Sequence, residues 1–150
     1  MAPRSDATHV VLVGCGQAKR ATPHPARDLY IGSLFRAARD YAEASGHPWH
    51  VVSGLHGLLN PSETVAPYDS RVPGGSETMS DWGQRVWQAL ETRYGYGAAL
   101  RVEVLAGVMY AAPVRLHAPN CCEVVTPLDE LELGYRLAWF RSQRLAREAA

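Results

Sequence analysis

The sequence has only one lysine. Fourteen of its fifteen basic residues are arginines, and Lys19 stands alone. It also has just three cysteines, two phenylalanines and a formal net charge of zero. A neutral chain has no overall field to draw in nucleic acid or an acidic membrane, although a local basic patch stays open. No apolar run approaches the roughly 20 residues of a membrane-spanning helix. The opening MAPRSDATH has no apolar signal segment. Cys15, Cys121 and Cys122 are odd in number and two are adjacent, so they make no disulfide framework and fit a reducing compartment. The reading is a cytoplasmic protein with no membrane partner. The scarcity of lysine reflects arginine codons rich in G and C, which makes the surviving Lys19 informative. An amine is a compact point charge, loses its proton when buried and can act as a nucleophile.

Apolar runs and breakers divide the rest. Residues 1–8 read as a loose tail and 9–150 as a single α/β domain, with no repeat or internal linker. HVVLVG (9–14) has the pattern of a strand buried on both faces. Asp28 is expected to cap a helix carrying Leu29, Phe35, Ala38 and Ala42, which SGHP (45–48) stops. WHVVSG (49–54) is the second strand. Residues 55–77 read as loop, with one helical turn near Leu58. The segment 76–95 is a helix with Trp82, Val86, Leu90 and Tyr94 at intervals of four. RVEVLAG (101–107) is the third strand, 108–118 a short helix broken at Pro113, and CCEVVTP (121–127) the fourth strand. A last helix, 129–150, turns Leu133, Leu137 and Phe140 inward and its arginines outward. This alternation predicts a three-layer α/β/α sandwich with a mainly parallel sheet of about four strands.

In such sheets ligands lie at the carboxyl ends of the strands, where strand order reverses. Four groups of residues fall there. The first is GCGQAK, in which Gly14, Cys15, Gly16 and Gln17 offer backbone N–H groups to an anion and Lys19 adds a charge. It matches neither a Walker A loop nor G-x-G-x-x-G. The second is ARDLY, with Arg27 and Tyr30. The third is SGLHGLLNP with PYD: Ser53, His56, Tyr68 and Asp69. A histidine at the His56 position is a candidate general acid or base, and long loops inside a domain are often functional. The fourth is LAGVMY, with Tyr110. Cys121 and Cys122, read as lying on opposite faces of a strand, are poorly placed to chelate. With six scattered histidines and no C-x-x-C, no metal site or cofactor is expected.

Together, GCGQAK, ARDLYIGSLF, WHVVSGLHGLLNPSETVAPYD, LAGVMY and TPLDELELGYRLAWF resemble a family of small bacterial proteins of unknown function, mostly from actinobacteria and phages. Its pattern is a strand, C-x-x-x-K, A-x-D-L-Y, S-x-x-x-G-L-L-x-P and P-Y-D. It transfers to Cys15, Lys19, Arg27, Asp28, Tyr30, Ser53, Gly57, Tyr68 and Asp69. His56 stands where a tyrosine or phenylalanine is expected. The family is distantly similar to the peroxide-stress protein YaaA and to accessory domains of archaeosine-making enzymes. The resemblance implies an α/β/α domain near nucleobase or nucleic-acid chemistry.

The expected function is an enzyme acting on a nucleotide, nucleoside or modified base, a hydrolase or transferase at an N-glycosidic bond. Lys19, Asp69 and His56 are its candidate catalytic residues. Gly14, Cys15, Gly16, Gln17, Arg27, Tyr30, Ser53, Tyr68 and Tyr110 are its candidate ligand contacts. The alternative is a non-catalytic DNA- or nucleotide-binding stress protein using the same cleft. A third reading makes Lys19 a Schiff-base nucleophile.

Overall fold

The computed structural model describes residues 7–69 and 77–150. Its elements are β1 Thr8–Gly14, β2 His24–Pro25, α1 Ala26–Leu29, α2 Ser33–Ser45, β3 Trp49–Ser53, β4 Gly57–Leu59, β5 Thr64–Val65, α3 Met79–Tyr94, β6 Leu100–Leu105, α4 Val108–Leu116, β7 Glu123–Val125 and α5 Leu133–Ala149. The main sheet runs β4-β3-β1-β6-β7, and β2 pairs with β5 as a separate ribbon. β1 is parallel to both β3 and β6, and β6 is parallel to β7. In the main sheet β4 runs antiparallel, against β3, and the β2–β5 ribbon is antiparallel as well.

The alternation of side chains along β1 builds both cores. Val11 and Val13 face one side with Val51 and Leu105, under Phe35, Ala38 and Ala42 of α2 and Phe140 of α5. Val10 and Leu12 face the other with Val52, Val102 and Val104, under Trp82, Val86 and Leu90 of α3 and Val114 of α4. Helices therefore cover both faces, and the layers are α/β/α. Four of the seven β1 residues have no exposed surface, which is why the segment is apolar throughout rather than alternating.

Several elements differ from the expectation. Among the described residues the main sheet has five strands, because Gly57–Leu59 pairs as β4 where a helical turn was expected. Gly57 adopts φ +69°, which lets the Ser53–Gly57 segment reverse tightly enough for that pairing. Asp28 lies inside the short α1 and caps nothing; α2 starts after Gly32, whose extended backbone separates the two helices. α3 begins at Thr78, whose hydroxyl accepts from the Asp81 N–H at 3.0 Å while Asp81 accepts from the Thr78 N–H at 3.4 Å. Residue 76, the expected start, lies outside the described residues.

α4 continues through Pro113. Proline forfeits one intrahelical hydrogen bond, and here its ring packs where α4 crosses Gly83 of α3. A methyl group on Gly83 would lie 2.7 Å from the Pro113 carbonyl oxygen. Gly83→Ala should therefore push the helices apart and cost about 1–3 kcal/mol, the range for overpacking. The denaturant midpoint checks this; an unchanged midpoint would refute the close crossing.

Two histidines make stability depend on pH. His50 is buried, its Nε2 lies 2.7 Å from the Tyr94 hydroxyl, and its Nδ1 has no partner. Burial, then Arg93, lowers the His50 pKa; burial, then His47, lowers that of His9. The unfolded chain thus takes up these protons first. The stabilising contribution is complete above the free imidazole value of about 6.5 and declines as pH falls through it toward the lower folded values. The Tm should drop between pH 7.5 and 5.5, and His50→Gln should flatten that drop.

Candidate functional site

The carboxyl end of β1 is the point where strand order reverses, with β3 on one side and β6 on the other. Beyond it the chain holds itself in place by backbone pairing. The Cys15 N–H donates to Val52 O at 3.0 Å. Residues 18–20 fold back against 29–31, with Arg20 N–H to Leu29 O and Ile31 N–H to Ala18 O, both 2.9 Å. This brings Lys19 beside Tyr30. The β2–β5 ribbon, with Ala26 N–H donating to Glu63 O at 2.9 Å, returns the chain so that Tyr68 follows directly.

Tyr68 is the meeting point. Its hydroxyl lies 2.6 Å from the Tyr30 hydroxyl and 2.6 Å from Ser53 Oγ. Lys19 Nζ sits 4.4 Å from the centre of its ring, and the His56 ring meets it edge-on at 5.0 Å. Ser53 Oγ also accepts the His56 N–H at 3.2 Å. Ser53 has no exposed surface and Tyr30 is 1% exposed, so this hydroxyl chain runs through dry protein. Burial and then the neighbouring Cys15 push the Tyr68 phenol up to about 12. Burial, with Tyr68, also raises Tyr30. Both phenols are protonated at neutral pH and so can donate as well as accept hydrogen bonds. Cys15 Sγ lies 3.6 Å from the Tyr110 hydroxyl. Trp82 fixes both flanks: its indole N–H donates to Ser53 O at 2.8 Å and its ring packs 4.9 Å from that of Tyr110.

Beside this cluster lies a cleft of about 300 Å³. Its walls are the Gly14–Gly16 loop, the first turns of α2 and α4, Tyr110 and Arg136. Gly32 and Gly107 immediately precede those helices, and the first turn of α2, whose N–H groups lack intrahelical partners, borders the space. The Arg136 guanidinium lies over Gly107: a methyl group there would be 3.0 Å from its Nη1. Arg136 Nε donates to Leu131 O at 2.9 Å, which steadies the side chain. Gly14 is also required, since a methyl group on it would lie 2.8 Å from Ala106 Cβ.

The structure thus unites Lys19, Tyr30, Ser53, His56 and Tyr68 in one cluster, with Cys15 and Tyr110 bridging it to Gly14 and Gly16. Three expected residues stand apart. Arg27 is paired with Glu43 of α2 at 2.6 Å. Asp69 is exposed, and among the described residues no ion pair joins it to Lys19. Gln17 is exposed, and its carbonyl accepts from Lys19 Nζ at 3.3 Å. Cys121 and Cys122 are not on opposite faces of a strand. They occupy the turn before β7, and their sulfurs are 3.8 Å apart on one side. Among the described residues no three His, Cys, Asp or Glu side chains are grouped to hold a metal ion, and no helix is long and apolar enough to cross a membrane.

Arg136 went unnoticed in the sequence, where the α5 arginines were placed outward. The signal was its spacing: it lies four residues before Phe140, on the helix face that Phe140 buries. Leu133 and Leu137 are instead 69% and 40% exposed, while Leu128, in the turn before the helix, is fully buried.

The chain belongs to a family of unknown function (DUF6884), whose match covers residues 10–142. It is 30% identical over 148 residues to a UPF0246 protein of Paraburkholderia xenovorans, an alignment taking in 87% of this chain and 54% of that protein. It is 36% identical over 137 residues to a UPF0246 protein of Burkholderia lata, covering 78% and 49% respectively. The chain spans about half the length of the curated relatives it matches. The family resemblance drawn from the motifs therefore stands.

Proposed function

We propose that the cleft binds a nucleotide- or nucleoside-like molecule through an anionic group, and that the Tyr68 cluster moves a proton on it during cleavage or transfer at an N-glycosidic bond. The observation that carries this is the meeting, in one cleft, of a glycine loop and a forked cation, beside a buried chain of hydroxyls. The Gly16 N–H, the N–H groups at the start of α2 and Arg136 suit phosphate or carboxylate oxygens. Tyr68 would protonate the departing base, with Tyr30 and Ser53 sharing the proton and Lys19 stabilising the phenolate left behind. Tyr110 offers a ring to stack on. Asp69, the next residue in the chain, is the carboxylate this reading assigns to the oxocarbenium-like sugar.

The test is a thermal melt with a panel of nucleotides and nucleosides, followed by chromatography for released base. A phosphate-bearing member should raise Tm and release base on incubation. If no member shifts the melt, the ligand class is wrong. Lys19→Arg should keep the fold but abolish turnover, because it replaces the compact ammonium 4.4 Å from the Tyr68 ring with a planar, more diffuse charge that is never deprotonated. Wild-type turnover in that variant would refute a specific role for the amine. Borohydride trapping of an adduct on Lys19 would favour the Schiff-base route.

A second reading, nucleic-acid binding, rests on a different surface. Arg141, Arg144 and Arg147, spaced three apart on α5, line a groove of about 240 Å³ against Ala37, Asp40 and Tyr41 of α2. Several cations on one face are what a phosphate backbone requires. This reading expects oligonucleotide affinity that falls steeply with salt and is lost in Arg144→Glu.

A further inference from the structure

The vicinal cysteines lie in a second cavity, away from the cleft. Cys121 and Cys122 are half-buried, and their sulfurs are 3.8 Å apart. Both thiols donate to the Ala98 carbonyl, at 3.5 and 3.4 Å. They line a cavity of about 150 Å³ whose walls include Trp87, Glu91, Tyr96 and Pro119. Pro119 sets up the turn: its carbonyl accepts the Cys122 N–H at 2.9 Å, which turns both side chains to the same side. Nothing in the proposed reaction uses this pair.

We propose that Cys121 and Cys122 form a thiol–disulfide exchange site, which accepts a low-molecular-weight disulfide and closes to a bond between the two neighbours. The step balances. One cysteine thiolate attacks a sulfur of the small disulfide, forms a mixed disulfide and expels one thiolate. The second cysteine attacks the protein-bound sulfur, forms the Cys121–Cys122 bond and expels the other. The pair gives up two protons and two electrons, and the small disulfide leaves as two thiols.

Three features support the assignment. The sulfurs are already in contact, so the second attack starts within reach, and closing the ring between neighbours bends the backbone at 121–122, whose Cα separation is shorter than an ordinary disulfide spans. The cavity beside them gives an incoming disulfide room. Burial pushes the Cys122 thiol up to about 11, with its neighbour adding to the effect. Cys122 thus holds its proton and is assigned the second, resolving attack.

The native protein is equilibrated with reduced and oxidised glutathione at graded ratios, quenched in acid, alkylated without reductant and digested with trypsin. The peptide 116–136 holds both cysteines and not Cys15. It should lose two hydrogens and resist alkylation, while Cys15 is alkylated. Trp87 emission should fall in step and recover with dithiothreitol, since a disulfide quenches a nearby indole; Trp87→Phe should remove that change. Cys122→Ser should accumulate glutathione on Cys121, for want of a resolving thiol. Two alkylated cysteines under excess oxidised glutathione would overturn the proposal. So would a lasting glutathione adduct on the wild type, or a disulfide-linked dimer. No residue of the cleft takes part, so either proposal can fail without the other.

Discussion

Arg136→Ala should lose ligand affinity by about tenfold to a hundredfold, the loss expected for one charge-assisted contact worth about 1.5–3 kcal/mol. The guanidinium is the cation the structure places over Gly107 at the mouth of the cleft, where a methyl group would lie 3.0 Å from Nη1. Arg136→Lys should recover part of the affinity and no more, because an ammonium keeps the charge but loses the fork. Arg141→Ala removes a cation from the same helix but from the groove on α2, and should leave small-ligand affinity unchanged. Calorimetry with whichever nucleotide stabilises the wild type reads all three. If Arg136→Ala and Arg141→Ala weaken binding equally, the effect is general charge, and the cleft is not the anion site. The unliganded Tm serves as control, since Arg136 Nε also secures Leu131 O at 2.9 Å.

The parts of this arrangement that showed in the sequence are those encoded locally. HVVLVG is apolar without alternation because β1 is central and covered on both faces, and its closing glycine marks the cleft. Trp82, Val86 and Leu90 are buried as their spacing required. What did not show depends on tertiary partners. β4 has only three residues and is a strand because β3 is beside it. Arg27 follows the glycine loop as expected, in α1, but Glu43, sixteen residues later, claims it first. Arg136 was hidden by a sound generalisation, that arginines on a terminal helix face solvent. It is at the cleft because α5 packs across α2 and carries its first turns to the glycine at the end of β6. The cysteines show the same limit at shorter range. Adjacent residues in a strand would diverge, and only the turn at Pro119 brings their sulfurs together.

Tyr68→Phe should cost both stability and turnover, and the two losses have separate causes. The substitution removes one oxygen from a site where two buried hydroxyls, of Tyr30 and Ser53, each lie 2.6 Å from it. Ser53 retains the His56 N–H, so Tyr30, 1% exposed, bears most of the loss. An unsatisfied buried hydroxyl costs about 1–3 kcal/mol, which denaturant unfolding will read directly. Tyr30→Phe/Tyr68→Phe together should cost less than the sum of the single changes, because the second removes the group the first left stranded. Turnover should not recover with stability. If Tyr68 is the acid, both the single and the double variant lose about 10²–10⁴ in kcat, the usual scale for removing a general acid. The wild-type profile should stay flat on its alkaline side well past neutrality, since the phenol releases its proton only near 12. A double variant with restored stability and wild-type kcat would leave Tyr68 as a structural hub and move the chemistry elsewhere in the cleft.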